Sequence, residues 1–215
     1  MEKLQRLISW SQWLGAQNQL ESGLLETKLA SLWKRYQEPH RAYHNPAHLY
    51  ALYEHWQKWE AAWKDKLSVG WAILYHDAIY DPFAKDNEEQ SARLAWQDLQ
   101  ALGLPKQQIE RIVELIICTQ THEVRPGDGD AARFISMDLA ILASEPAAYE
   151  AYAQAVRKEY ARVPGFLYKK GRRKVLKHFL QKAVIYPDPG LRKAWEQKAR
   201  SNLEREYLAL GGKPF

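Results

Sequence analysis

A histidine and an aspartate, His76 and Asp77, directly follow the largest apolar stretch of this 215-residue chain, in the segment AILYHDAIYD. Buried ionisable groups are costly unless they pair with one another or coordinate a metal ion. For an isolated dipeptide, a His–Asp pair is the plainer interpretation. Adjacent residues project about 100° apart around a helix, so both side chains can reach one ion only beside a helix end. The dipeptide therefore predicts either an ion pair or part of a metal site.

Two further segments carry residues that could complete such a site. The segment RAYHNPAHLYALY offers His44 and His48, and FISMDLAIL embeds Asp138 among apolar residues. One of these histidines, Asp138 and the dipeptide together supply two imidazoles and two carboxylates. This mixed nitrogen and oxygen set suits Mn²⁺, Fe²⁺, Co²⁺, Ni²⁺, Mg²⁺ or Zn²⁺ and leaves positions for water and substrate. The residues thus predict one divalent metal ion.

Helical periodicity extends along almost the whole chain. Asn45 as N-cap and Pro46 at the first helical position mark one helix start. Further helices are predicted over residues 3–14, 20–37, 67–80, 87–102, 106–121, 130–143, 146–161, 170–185 and 190–210. The run from Val69 to Tyr75 is the strand candidate, but no alternating β-branched run could pair with it. We expect an all-α fold.

The composition favours one globular domain over residues 1–215. The chain is 46% apolar and 27% charged, which excludes a disordered protein, and it contains no repeat or linker. No stretch approaches the ~20 apolar residues of a transmembrane helix, and the N-terminus lacks the apolar core of a secretory signal. Cys118 is the only cysteine, so neither an intramolecular disulfide nor a thiolate zinc cage can form. We expect a cytoplasmic protein with no membrane partner.

The net charge of +5 is unevenly distributed. Residues 1–155 carry a net charge of −6, whereas residues 156–215 carry +11. This asymmetry favours an anionic partner, either a phosphate-bearing ligand or a nucleic acid. For most of these residues, a solvated lysine-rich helix face is the simpler interpretation.

The ordered set of a histidine, a His–Asp pair and a distant aspartate resembles the HD superfamily of metal-dependent phosphohydrolases. Within it, the chain is similar to a small bacterial branch described as predicted HD phosphohydrolases. The likeness covers nearly the whole chain and rests on RAYHNPAHL, WAILYHDAIYDPFAKDNEEQSA, IICTQTHE, ISMDLAIL, RKEYARVPGFLYKKGRRKVLKHFL and WEQKARSNLEREYLAL. It implies a single helical HD-domain bundle, with the basic C-terminal helices of about residues 156–215 packed on the core.

The resemblance also implies a set of metal ligands. These are His48, His76, Asp77 and Asp138. His48, which aliphatic residues follow, matches the first metal histidine of the superfamily better than His44 does, although the reverse assignment stays open. His44 would then support a ligand or face the substrate.

A metal ion in such a site implies hydrolysis of a phosphate ester. The ion lowers the pKa of a water molecule and polarises a phosphoryl oxygen. A nearby carboxylate would take the proton of that water, and the candidates are Asp81, Asp86 and Glu88. Asp77 would contribute to catalysis as a ligand of the ion. The alternative for Asp86 and Glu88 is that their negative charges stabilise a helix N-terminus.

Three further residues are predicted to bind substrate together with His44. His122, in TQTHE, is the only histidine between the dipeptide and Asp138, so the paired histidines of two-metal relatives are missing. The resemblance therefore implies a single ion and argues against cyclic-dinucleotide phosphodiesterase activity. Arg157 and Arg172, in the basic C-terminal segment, are the predicted phosphate-binding residues. An arginine side chain can donate two parallel hydrogen bonds to phosphate oxygens.

Three functions remain open from the sequence. The first is a phosphohydrolase that acts on a small phosphorylated metabolite, such as a nucleotide or a related phosphomonoester. The second is a sensor module that binds a nucleotide with the metal but does not hydrolyse it. The third, nucleic-acid binding, is disfavoured because the chain has no nucleic-acid motif. A homodimer is compatible with any of them.

Overall fold

The protein is all-α. A computed structural model describes residues 2–213, and these contain no β-strand. Ten α-helices occur in this part of the chain: α1 (Glu2–Gln17), α2 (Ser22–Tyr36), α3 (Pro46–Lys58), α4 (Lys66–Tyr75), α5 (Asn87–Ala101), α6 (Lys106–Thr121), α7 (Gly129–Asp138), α8 (Pro146–Glu159), α9 (Gly165–Gln181) and α10 (Pro189–Ala209). Short 3₁₀ segments span Glu60–Ala62 and Leu139–Ala143. The predicted fold class is confirmed.

The chain divides into two compact units, Met1–Phe134 and Ile135–Phe215. In the first unit, α4 is the central helix, and its residues 68–75 are all buried. It contacts α1, α3, α5 and α6. At Gly70 an added Cβ atom would lie 2.8 Å from Leu14 Cδ2, so a larger residue would displace the Leu14 side chain where α1 approaches α4. The C-terminal end of α4 therefore lies in the interior of the first unit.

The helix start predicted at Asn45 and Pro46 is confirmed. The Asn45 Oδ1 atom accepts a hydrogen bond of 2.8 Å from the backbone N–H of Ala47, and Pro46 is the first residue of α3. A proline fits there because the first backbone N–H groups of a helix have no partner within the helix. The cap fixes the first turn of α3, which contains His48.

Helix α4 ends at Tyr75, five residues earlier than predicted. The polypeptide after it finds other hydrogen-bond partners for its backbone. The Arg41 guanidinium donates to the carbonyl oxygens of Asp77 (2.7 Å) and Ala78 (3.1 Å). The Ser91 hydroxyl accepts from Ile79 N–H at 3.0 Å and donates to its carbonyl oxygen at 3.3 Å. Side chains distant in sequence thus replace the helical hydrogen bonds, which local periodicity cannot reveal.

The second unit is organised around α8, α9, α10 and the Leu139–Ala143 segment. The Asn202 side chain on α10 donates to the carbonyl oxygens of Leu142 (2.9 Å) and Ser144 (2.8 Å). Helix α9 runs from Gly165 to Gln181, whereas the sequence predicted residues 170–185, so both ends were wrong. Phe166 and Leu167 in its first turn are exposed. Because the prediction assumed that apolar residues lie on the buried face of a helix, these two residues obscured its start.

Among residues 2–213, no helix combines the length and the apolar character that a membrane crossing requires.

Candidate metal centre

The His76 imidazole is held in one orientation at the end of α4. It is 1% exposed, and its Nδ1 atom lies 2.9 Å from the carbonyl oxygen of Ile73. A carbonyl oxygen can only accept a hydrogen bond, so Nδ1 carries the proton and Nε2 presents a lone pair when the ring is neutral. A hydrogen bond of this kind on the remote ring nitrogen is typical of metal-binding histidines.

The His48 ring, in the first turn of α3, faces the same point. Its Nε2 atom lies 3.2 Å from Nε2 of His76, and the residue is 7% exposed. The ring of His76 also meets Phe134 edge-on, with 5.8 Å between centroids. Two imidazole nitrogens, one from α3 and one from the residue that follows α4, therefore converge at a buried point.

Asp77 adds an oxygen to this pair of nitrogens. Its Oδ2 atom lies 3.1 Å from Nε2 of His76 and 3.6 Å from Nε2 of His48. The circle through the three atoms has a radius of about 1.9 Å, slightly below the ~2.0–2.2 Å of Zn–N and Zn–O bonds. One ion could therefore contact all three atoms at ordinary bond lengths, and the residues fit a divalent transition metal.

Asp138, the remaining predicted ligand, is the last residue of α7 and belongs to the second unit. Within the first unit, the other three predicted ligands, His48, His76 and Asp77, lie together.

The charges of the site favour an ionised Asp77. Burial alone would raise the pKa of this carboxyl group, but the adjacent His76, followed by His44 and His48, holds the pKa far below its ordinary value. The group is therefore a carboxylate over the physiological pH range. A carboxylate next to imidazole nitrogens is the state that binds a cation.

His44 occupies a different position from His48. Its half-buried ring stacks on Tyr80, with centroids 4.2 Å apart and 29° between planes, and it lies 6.1 Å from the His48 ring. The structure thus places His48 at the convergence point and His44 beside it.

Arg41 is a residue at this site that the sequence analysis missed. Its side chain is fully buried, and besides Asp77 and Ala78 it donates to the carbonyl oxygen of His44 (3.2 Å) and to Glu38 Oε2 (3.0 Å). It therefore joins the segment before α3, which leads to His48, to the turn after α4, which begins at His76. The sequence feature that could have indicated this role is the position of Arg41 at the start of the segment RAYHNPAHL.

The three candidate acids differ in their surroundings. Asp81 is exposed, and its Oδ1 atom accepts from the backbone N–H of Phe83 at 2.9 Å. Asp86 is exposed and accepts from the Gln90 side chain at 3.0 Å, without capping α5. Glu88 is half-buried in the first turn of α5, and its pKa is raised mainly by burial and further by the negative charge of Asp77. Glu88 is thus the acid that is electrostatically coupled to the site.

The predicted substrate-binding residues lie in varied settings. His122 is half-buried at the end of α6, in the left-handed conformation with φ of 55°. Arg157 donates to the carbonyl oxygens of Tyr160 and Val163. Arg172 is buried and makes a bidentate pair with Glu206, at 2.8 and 2.9 Å. The structure therefore gives both arginines intramolecular acceptors.

Comparison with protein-family models, curated proteins and solved structures finds no match for this chain.

Proposed function

We propose that this protein is a metal-dependent phosphohydrolase of the HD superfamily. The supporting observation is the convergence of two imidazole Nε2 atoms and one carboxylate oxygen, from α3 and the end of α4, on a circle whose size suits a divalent ion. The order of these residues in the sequence matches the pattern on which the resemblance rests. Asp138 is the fourth ligand that the resemblance implies.

The bound ion would activate water and polarise a phosphoryl oxygen, which is the chemistry that phosphate ester hydrolysis requires. The chain's own residues prepare the site for this reaction. The Ile73 carbonyl oxygen keeps the His76 proton on Nδ1, and Arg41 fixes the backbone of Asp77. Both interactions limit movement of the ligand atoms, and a preorganised polar site loses little free energy to rearrangement during the reaction.

Glu88 is the proposed general base. Its carboxylate would accept a proton from the attacking water, and its raised pKa makes it a stronger base than an ordinary glutamate. Asp81 is the weaker candidate because its carboxylate already stabilises the turn at Phe83. The proposed substrate is a phosphate ester of a small metabolite such as a nucleotide, with His44 and His122 as its binding residues.

Metal analysis and a hydrolysis assay test this proposal together. The purified protein is analysed for metals and assayed on phosphomonoesters and nucleotides with added Mn²⁺, Co²⁺ or Mg²⁺. We expect about one metal ion per chain and turnover that Asp77→Asn abolishes. Glu54→Gln removes an exposed carboxylate on α3, six residues after His48, and serves as the matched control. This variant is expected to retain both metal and activity.

Two outcomes would contradict the proposal. Nucleotide binding that requires metal but shows no turnover under any condition would support the sensor function instead. A protein that retains no metal and whose activity is unaffected by Asp77→Asn would remove the site from consideration altogether.

A further inference from the structure

Helix α9 presents two large apolar side chains to solvent in its first turn. Phe166 is 73% exposed, the highest value for any large apolar residue in the described chain, and the adjacent Leu167 is 47% exposed. Neither residue contributes to the core of its unit. Scattered exposed apolar residues are common, but a neighbouring pair of this size next to charged residues indicates an interaction surface.

The same helix lies in the most basic part of the chain. Residues 160–187 contain eight Lys and Arg residues and no Asp or Glu. Four lysines of α9 are exposed and have no acidic partner within residues 2–213: Lys169, Lys170, Lys174 and Lys177. No acidic side chain of residues 2–213 therefore neutralises their charge.

Three of these lysines and the apolar pair share one side of the helix. Phe166, Lys170, Lys174 and Lys177 follow one another at intervals of four, four and three residues, so they form a single row, and Leu167 flanks it. The opposite side of α9 carries its buried residues, Arg172 and Leu176. We call the row with Leu167 the α9 face.

We propose that the α9 face docks on the surface of an anionic lipid bilayer. Phe166 and Leu167 would enter the boundary between headgroups and acyl chains, while the lysines contact lipid phosphates. A basic helix with a bulky apolar element can lie on a bilayer without crossing it. This inference revises the expectation of no membrane partner, and it does not rest on the proposed function.

The distribution of arginines favours a lipid surface over a nucleic acid. Arginine is the preferred residue for bidentate recognition of nucleic-acid phosphates and bases. In α9, however, Arg172 is paired with Glu206, and Arg173 donates to the carbonyl oxygens of Leu210 and Gly211. The α9 face therefore offers lysines, which act as point charges and suit a fluid array of headgroups.

Vesicle flotation with the full-length chain tests this inference. The vesicles contain phosphatidylcholine alone or with phosphatidylglycerol, at low and high salt. We expect binding to the anionic vesicles only, weakened by salt. The triple substitution Lys170→Ala, Lys174→Ala and Lys177→Ala should reduce the affinity about 100-fold, given the contribution of each lysine near an anionic surface. The double substitution Phe166→Ser and Leu167→Ser should reduce it at least about tenfold at unchanged charge.

Matched variants in the first unit serve as controls. Lys58, Lys64 and Lys106 are exposed, and their triple substitution by alanine removes the same charge, while Leu24→Ser removes an exposed apolar side chain. Both controls should bind anionic vesicles like the unsubstituted protein. All variants should retain their helical circular dichroism and any hydrolysis of soluble phosphomonoesters, so failure of docking is distinguishable from failure of the proposed function.

The inference would be overturned by equal binding to neutral and anionic vesicles, or by control substitutions that weaken binding as much as those on the α9 face. Tight binding to an oligonucleotide that survives the Phe166→Ser and Leu167→Ser substitutions, without vesicle binding, would also overturn it and identify a nucleic acid as the partner.

Discussion

Arg41 shows how one buried side chain can organise two ligand-bearing segments. Its guanidinium donates to the backbone carbonyl oxygens of His44, Asp77 and Ala78. Because the Asp77 carbonyl is one of these acceptors, the position of the Asp77 side chain depends on a residue 36 positions earlier. Arg41 is thus a positioning residue for the metal ligands.

Replacing Arg41 with alanine is expected to lower the free energy of unfolding by about 3 kcal/mol, since three carbonyl oxygens and Glu38 lose their donor inside the protein. Urea unfolding measures this change. Metal affinity should fall as well. Loss of a residue that only stabilises the fold at a distance from the site would leave the metal affinity unchanged. Arg162→Ala, at an exposed position, is the control and should change neither quantity.

Glu88→Gln tests the proposed base. The amide cannot accept the proton, so kcat should fall about 10²- to 10⁴-fold while the metal content stays the same. In the unsubstituted protein the base works only as a carboxylate. The rate should therefore increase as the pH rises through the pKa of Glu88. A pH–rate profile measures this acidic limb, and its persistence in Glu88→Gln would assign the base to another group.

At the scale of helices, the first turn of α3 sets the position of His48. Asn45→Ala removes the cap and should reduce the free energy of unfolding by about 1 kcal/mol, and the metal affinity should fall because His48 lies in the released turn. Glu21→Ala removes the corresponding cap of α2, where Glu21 accepts from the N–H groups of Gly23 and Leu24. Equal losses of metal affinity in Asn45→Ala and Glu21→Ala would show that the cap of α3 has no specific effect on His48.

The sequence predicted most of these helices because capping residues and apolar spacing are local properties. Asn45 and Pro46 marked the start of α3, and the predicted ligands from α3 and α4 lie together. The end of α4 could not be predicted, because it depends on hydrogen bonds from Arg41 and Ser91, which are distant in sequence. The start of α9 was missed because Phe166 and Leu167 face solvent, and apolar side chains normally indicate a buried face.

At the scale of the whole molecule, metal binding should stabilise the native state. An ion present at 100 times its dissociation constant adds about 2.7 kcal/mol if the unfolded chain does not bind it. Thermal unfolding with and without Mn²⁺ or Zn²⁺ measures the increase in Tm. His76→Gln should abolish the increase and Asp138→Asn should diminish it, whereas Glu54→Gln should show the full increase. An equal shift in all variants would indicate ion binding elsewhere.

The central helix of the first unit, α4, has a consequence for handling the protein. Its residues 68–75 are all buried, and the apolar core of this unit consists mainly of Leu, Ile, Trp and Tyr side chains rather than of the metal ligands. Chelation should therefore empty the site reversibly without denaturing the chain, unlike the collapse of small zinc-nucleated domains. The same preparation could then be reconstituted with one cation after another, so that their reactivities are compared on an identical scaffold.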